Sequence, residues 1–157
     1  MNDASMQVEA ALDGLRAYGR GMPPIVAIAA EVVAYDRRCL RMHAPLAANV
    51  NDKGSAFGGS MTSLMTYAGW GLVTLRLQLA GLRADVFVAD STVHYRKPLY
   101  ADLEAEAMAA PEESWEAFLA TFIQRGRARI GLQARIALPE GGIAADLAGR
   151  YVAIAKG

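Results

Sequence analysis

The stretch of this chain best suited to chemistry is Asn49-Val50-Asn51-Asp52-Lys53-Gly54-Ser55-Ala56-Phe57-Gly58-Gly59-Ser60, which runs into a long uncharged, helix-like segment. The first N–H groups of a helix have no intrahelical partner and carry the positive end of its dipole, so they favour developing negative charge. Gly58 and Gly59 let a ligand carbonyl come close. Such a turn can stabilise the oxyanion formed when water attacks a thioester, at about 3 kcal/mol per donor. The same residues have a structural use as well: the glycines allow tight packing, and Asn51 or Asp52 caps the turn. Residues 54–75 hold neither carboxylate nor histidine, which leaves Asp52 as the nearest acid and Asp90 as the second candidate. With Asp52 as base, Asn49 or Asn51 orients the water and Ser60 or Ser63 hydrogen-bonds the intermediate. A solvated turn acid is an equal reading of Asp52.

Other reactive side chains are sparse. Alternation along 86–96 puts Val86, Val88, Asp90, Thr92 and His94 on one face and Phe87, Ala89, Ser91, Val93 and Tyr95 on the other. Asp90 and His94 are then about 13 Å apart along an extended strand and do not touch; His94 is a minor candidate, and His43 is assigned no role. Two isolated histidines and Cys39 give no zinc spacing, so no metal is expected. No G-x-S-x-G elbow supports a catalytic triad. Arg96, Lys97, Arg125, Arg127 and Arg129 flank strand ends, where they suit either solvent or the phosphates of a ligand.

The elements that must position these residues follow from periodicity. Phe57, Met61, Leu64, Met65, Ala68, Leu72, Leu75 and Leu79 recur every three or four residues, which predicts a helix over 57–79 with an apolar stripe on one side. Ser60, Ser63, Tyr67, Gly71 and Thr74 fall on the other side, open to something polar or to another backbone; back-bonding of the hydroxyls to helix carbonyls is an equal reading. Ahead of it, 4–15 reads as an amphipathic lid helix closed by Gly19, Gly21 and Pro23-Pro24. Residues 25–35 and 40–44 read as a hairpin through Asp36-Arg37. Five strand-like runs follow Gly81, over 86–95, 103–108, 115–124, 128–138 and 143–154, with hairpin turns at Arg125-Gly126-Arg127 and Glu140-Gly141-Gly142 and breaks at Pro98 and Pro111. This order predicts one α+β domain over 1–157, with 1–22 an N-terminal helix and linker, and does not suit the alternating βαβ of a nucleotide-binding sheet.

Composition narrows the function. The 157 residues suit a single domain, and 54% apolar content suffices for its core. Sixteen basic and sixteen acidic residues cancel, so nucleic acid is not an expected partner. One cysteine and an N-terminus without a basic, apolar leader point to the cytoplasm. The uncharged run 54–75 is long enough to span a bilayer, but its glycines, serines and threonines dilute its hydrophobicity, and a central buried helix is expected instead.

Residues 49–71, NVNDKGSAFGGSMTSLMTYAGWG, followed by VADSTVHYRKP at 88–98, resemble the thioesterase family typified by the YiiD C-terminal domain, within the hotdog-fold superfamily. The likeness runs over nearly the whole chain. It implies a helix wrapped by an antiparallel sheet, a homodimer or higher homo-oligomer with sites at the subunit interface, and an acyl-CoA or acyl-carrier-protein substrate, with CoA or phosphopantetheine present only as part of that substrate. By the same resemblance, Phe57, Gly58, Gly59 and Ser60 form the carbonyl-facing turn with Asn49 and Asp52 in the loop. Tyr67, Asp90, Arg96 and Lys97 are the remaining candidates for substrate contact. The helix carboxylate that many hotdog thioesterases place on the central helix or just before it is absent from 54–75, which keeps a non-catalytic acyl-binding module as an alternative to hydrolysis. A hydratase or dehydratase lacks its His and acid pair.

Overall fold

The computed structural model describes residues 2–36 and 38–157. Its centre is the long helix α3, Gly58–Leu79, and thirteen of its residues are buried. The expected apolar stripe accounts for one side only. Of the hydroxyl-and-glycine set, Ser60, Tyr67, Gly71 and Thr74 are buried as well, and Ser63 alone is exposed. The reason is enclosure: α3 packs on strands of the sheet and on the N-terminal helix α1, Asp3–Arg20. Glycines set how close these layers come. A Cβ on Gly69 would lie 2.3 Å from the Tyr151 hydroxyl oxygen, and one on Gly71 would lie 2.8 Å from Met42 Cε. The Tyr151 hydroxyl donates to the Thr66 carbonyl at 3.0 Å, and burial pushes its pKa up.

Helix α1 starts on the Asn2 side chain, which accepts from Ser5 N–H at 2.8 Å, and continues five residues beyond the expected 4–15, through Gly19, because Leu12, Leu15 and Gly19 are buried. The expected strand 25–35 divides. Pro23-Pro24 do not end a helix but open a short one, α2, Pro23–Ala27, where a missing N–H costs nothing. Ala29, at φ 56°, ends that turn, and the strand β1 begins at Glu31, running Glu31–Tyr35. Of the Asp36-Arg37 turn, Arg37 lies outside the described residues; the Asp36 carboxylate accepts from Arg38 and Cys39 N–H at 3.0 and 2.9 Å.

Strands β2 (Leu40–Ala44), β3 (Ala84–Tyr95), β4 (Leu103–Ala109), β5 (Arg127–Ala137) and β6 (Ile143–Ala155) complete an antiparallel sheet in the order β1-β2-β4-β5-β6-β3. The run 115–124, expected as a strand, is instead the helix α4, Trp115–Arg125. Ser114 caps it by accepting from Ala117 N–H, Trp115, Phe118, Leu119 and Phe122 recur at helical spacing, and Gly126 closes it at φ 71°. Arg125-Gly126-Arg127 is therefore a helix exit, not a hairpin. Glu140-Gly141-Gly142 does join β5 to β6, with Gly141 and Gly142 at φ 100° and 90°.

The long strand β3 pairs only with β6 among the described residues, and it carries a bulge between Val88 and Asp90. One extra residue reverses the alternation. Val86 faces α3 before the bulge, and Val93 and Tyr95 face it afterwards, so Asp90 and His94 point to the opposite side of the sheet from Val86. The face assignment expected from unbroken alternation is corrected accordingly. No helix among the described residues is long and apolar enough to cross a membrane.

Gly69→Ala is expected to lower stability by about 1–3 kcal/mol, because its methyl meets the buried Tyr151 ring, a rigid neighbour rather than a flexible tip. Urea unfolding would show this as a lower midpoint at unchanged slope.

Candidate functional site

The loop before α3 is built by asparagine side chains. Asn49 is 3% exposed; its amide nitrogen donates to the carbonyls of Ile28 and Pro45, both at 2.8 Å, and its own carbonyl accepts from Phe57 N–H at 2.7 Å. The Asn49 Oδ1 is buried without a hydrogen-bond partner among the described residues. Asn51 closes the tip: its Oδ1 accepts from Lys53 and Ser55 N–H, and its Nδ2 donates to Ser55 Oγ at 2.9 Å. A bridge between Val50 and Ala56, with Ala56 N–H donating to the Leu99 carbonyl, anchors the returning arm.

The loop delivers Phe57 in extended conformation as the N-cap of α3, with no side-chain cap bond. Its carbonyl accepts from Met61 N–H at 3.1 Å, the first bond of the helical ladder. The N–H groups of Gly58, Gly59 and Ser60 lie ahead of that ladder and have no partner among the described residues. Gly59 is exposed and Gly58 half-buried, while Ser60 is buried. Two further residues stand at this turn that sequence reading passed over. The Tyr95 hydroxyl lies 2.6 Å from Thr62 Oγ1 and donates to the Gly58 carbonyl at 3.2 Å, and its ring packs on Gly58. Only the bulge in β3 brings Tyr95 to this side, and periodicity carries no sign of it.

A groove of about 410 Å³ begins one turn further along α3, between Thr62, Ser63 and Thr66 on the helix, Ile25 on α2, and Phe87 and Val88 on β3. Its size falls within the range of small-molecule sites. Tyr67 and Trp70 line it as well, and burial pushes the Tyr67 phenol up, so it stays neutral.

The remaining candidates are dispersed. Asp52 sits at the loop tip with its side chain 81% exposed and pairs with Lys53 Nζ at 2.7 Å. Asp90 and Arg96 lie on the sheet face turned away from α3: Asp90 pairs with Arg150 and Arg96 with Asp146, directly across from His94, so the structure does not bring either to the loop. Lys97 is exposed beyond the end of β3. The Arg150 guanidinium holds the Asp90 carboxyl below the usual carboxylate range, and Arg96 does the same for Asp146. Among the described residues, no three of His, Cys, Asp and Glu come together to hold a metal ion.

The chain is similar to the protein OLEI01261 of Chlorobaculum tepidum, of unknown function, with 30% identity, TM-score 0.84, and coverage of 92% of this chain and 94% of that one. It is similar to the putative thioesterase of Shewanella oneidensis at 26% identity and TM-score 0.82, covering 93% and 99% of the two chains. The protein PA5026 of Pseudomonas aeruginosa, at 21% identity and TM-score 0.76 over 94% and 95%, shares the fold. A long helix held against a six-stranded antiparallel sheet, with thioesterase-superfamily structures as its likenesses, makes this a hotdog-fold protein. Residues 17–155 match the family described as putative thioesterase (yiiD_Cterm), and the chain belongs to that family.

A depressed carboxylate contributes stability above its unfolded pKa and loses it as pH falls through the lower folded value. Asp90 is such a group. Arg150→Ala is therefore expected to raise the pH at which Asp90 titrates, as followed by NMR of its carboxyl carbon.

Proposed function

We propose that the protein is a homodimeric acyl thioesterase that hydrolyses acyl-CoA or acyl-carrier-protein thioesters at the start of α3. One observation carries this reading: the N–H groups of Gly58, Gly59 and Ser60, without a partner among the described residues, lie beside an apolar groove. Amides fixed at a helix start need no reorganisation, so they favour the tetrahedral oxyanion over the planar carbonyl. Tyr95 supports the arrangement by holding the Gly58 carbonyl, and Asn49 and Asn51 by holding the loop.

In the reaction, a water oxygen adds to the thioester carbon as its proton passes to the Asp52 carboxylate. The C–S bond then breaks, and the departing thiolate takes up that proton, leaving a free acid and a thiol. Asp52 is exposed and its ion pair is with an exposed surface cation, Lys53, a contact weak enough to give way as it turns toward the substrate. Dimerisation rests on β3. A twelve-residue strand with a free edge and exposed Phe87 and Val88 invites pairing with a second copy, which would continue the sheet and roof the groove those residues line. The exposure of Asp52 and the absence of a carboxylate on α3 favour one other reading, an acyl-binding module without turnover.

Thiol release from a panel of acyl-CoAs separates the two. Gly58→Pro removes one amide donor at the helix position where proline is best tolerated, after a residue already extended at ψ 131°. It is expected to cut kcat by roughly 100- to 1,000-fold, and Asp52→Asn by roughly 100- to 10,000-fold. Binding without release from any chain length would instead establish the binding module. Phe87→Asp is expected to yield monomers with little activity; sedimentation showing intact dimers would place the interface elsewhere.

A further inference from the structure

Tyr67 stands between two cavities. On one side is the groove of about 410 Å³ along α3 and β3; on the other is a cavity of about 450 Å³ under the N-terminal helices, lined by Arg16, Arg20, Glu31 and Val32. Both are lined by Tyr67 and Ile25, and those two side chains form the wall they share. The wall is firm. Tyr67 is 5% exposed and stacks on Trp70 at 5.7 Å between ring centroids, and Trp70 meets Tyr18 edge-on at 5.8 Å. Its hydroxyl presses on α1 where only glycine fits: a Cβ on Gly19 would lie 2.5 Å from that oxygen and 3.6 Å from Ile25 Cγ2.

We infer that Tyr67 and Ile25 set the length of the acyl chain this protein accepts, with the chain running along the α3 groove and ending against them. This rests on the acyl-thioester reading of the α3 start. The groove begins one helical turn beyond that start: Thr62, Ser63, Thr66 and Tyr67 line it on one helix. Thr62, Ser63 and Thr66 give it aliphatic hydroxyls on the helix, while Ile25, Val86, Phe87 and Val88 supply an apolar wall, which suits a hydrocarbon tail held beyond a polar carbonyl. The eight residue steps from Gly59 to Tyr67 rise about 12 Å along the helix, the reach of a medium rather than a long chain. Beyond the wall the lining turns charged, with Arg16, Arg20 and Glu31, so a longer tail gains room there only if the wall is removed.

The test measures binding of S-alkyl-CoA thioethers, from butyl to hexadecyl, by calorimetry, so that it does not depend on turnover. Wild-type affinity is expected to rise about fourfold per added methylene up to a limiting length and then flatten or fall. Tyr67→Ala and, separately, Ile25→Ala should move that limit to longer chains and raise affinity for the first rejected length at least about tenfold. Tyr67→Phe should keep the wild-type limit, since the ring and not the hydroxyl forms the wall. If Tyr67→Ala fails to fold by circular dichroism, Ile25→Ala decides. A limit that stays put in the alanine variants, or a wild type with no limit, overturns the inference while hydrolysis stands. Thioether binding with the expected limit but no hydrolysis of any acyl-CoA overturns the enzymatic reading and leaves the length assignment supported. Absence of binding at every length overturns both.

Discussion

The structure depends on burying one uncharged helix. Between Gly58 and Arg76, α3 has no ionised side chain with which to face water, so nearly its whole circumference must be covered. The sheet covers one side, and α1 and α2 cover part of the other. Close approach on both sides requires residues without side chains. Gly69 and Gly71 admit Tyr151, Met42 and Leu40 from the sheet, and Gly19 admits Tyr67 from the helix. What burial cannot satisfy is the helix start, because its first amides have no carbonyl ahead of them. Covering most of α3 leaves that start, and the groove beside Thr62, Ser63 and Thr66, as its open parts.

The sheet edge continues this logic. Strand β3 is long, apolar in its first half over Val86 to Ala89 and unpaired on one side among the described residues, a combination that globular proteins otherwise avoid or cover. Its bulge decides which side chains reach α3. Without the extra residue, Asp90 and His94 would face the helix, and Tyr95 would turn away from Gly58. With it, Asp90 and His94 pair with Arg150 and Asp146 of β6 on the outer face, and Tyr95 stands at the amides.

Long periodic elements were readable from the chain, and short or irregular ones were not. The helix α3 follows from eight apolar residues at one spacing, and its observed start differs from the expected one by a single residue. The run 115–124 misled because Trp, Phe, Leu and Ile also favour strands; the decisive signals were the Ser114 cap and the left-handed Gly126. Pro23-Pro24 reads equally as a stop and as a first turn, and only packing of Ile25 chooses between them. Within the candidate site, the glycine turn could be seen in the residues themselves. The roles of Thr62 and Tyr95 could not, since a bulge changes direction without changing composition.

By itself, then, the sequence determined the α+β class, the central helix, the glycine-opened turn ahead of it and the scarcity of acids near that turn, because each is a local matter of spacing and residue type. Tertiary structure alone decided which face of β3 looks inward, that Asp90 and Arg96 are spent on ion pairs away from the loop, and that Tyr67 and Gly19 meet between two cavities. Those outcomes depend on contacts between residues far apart along the chain, where the free energy lies in the fit of surfaces that no single segment contains.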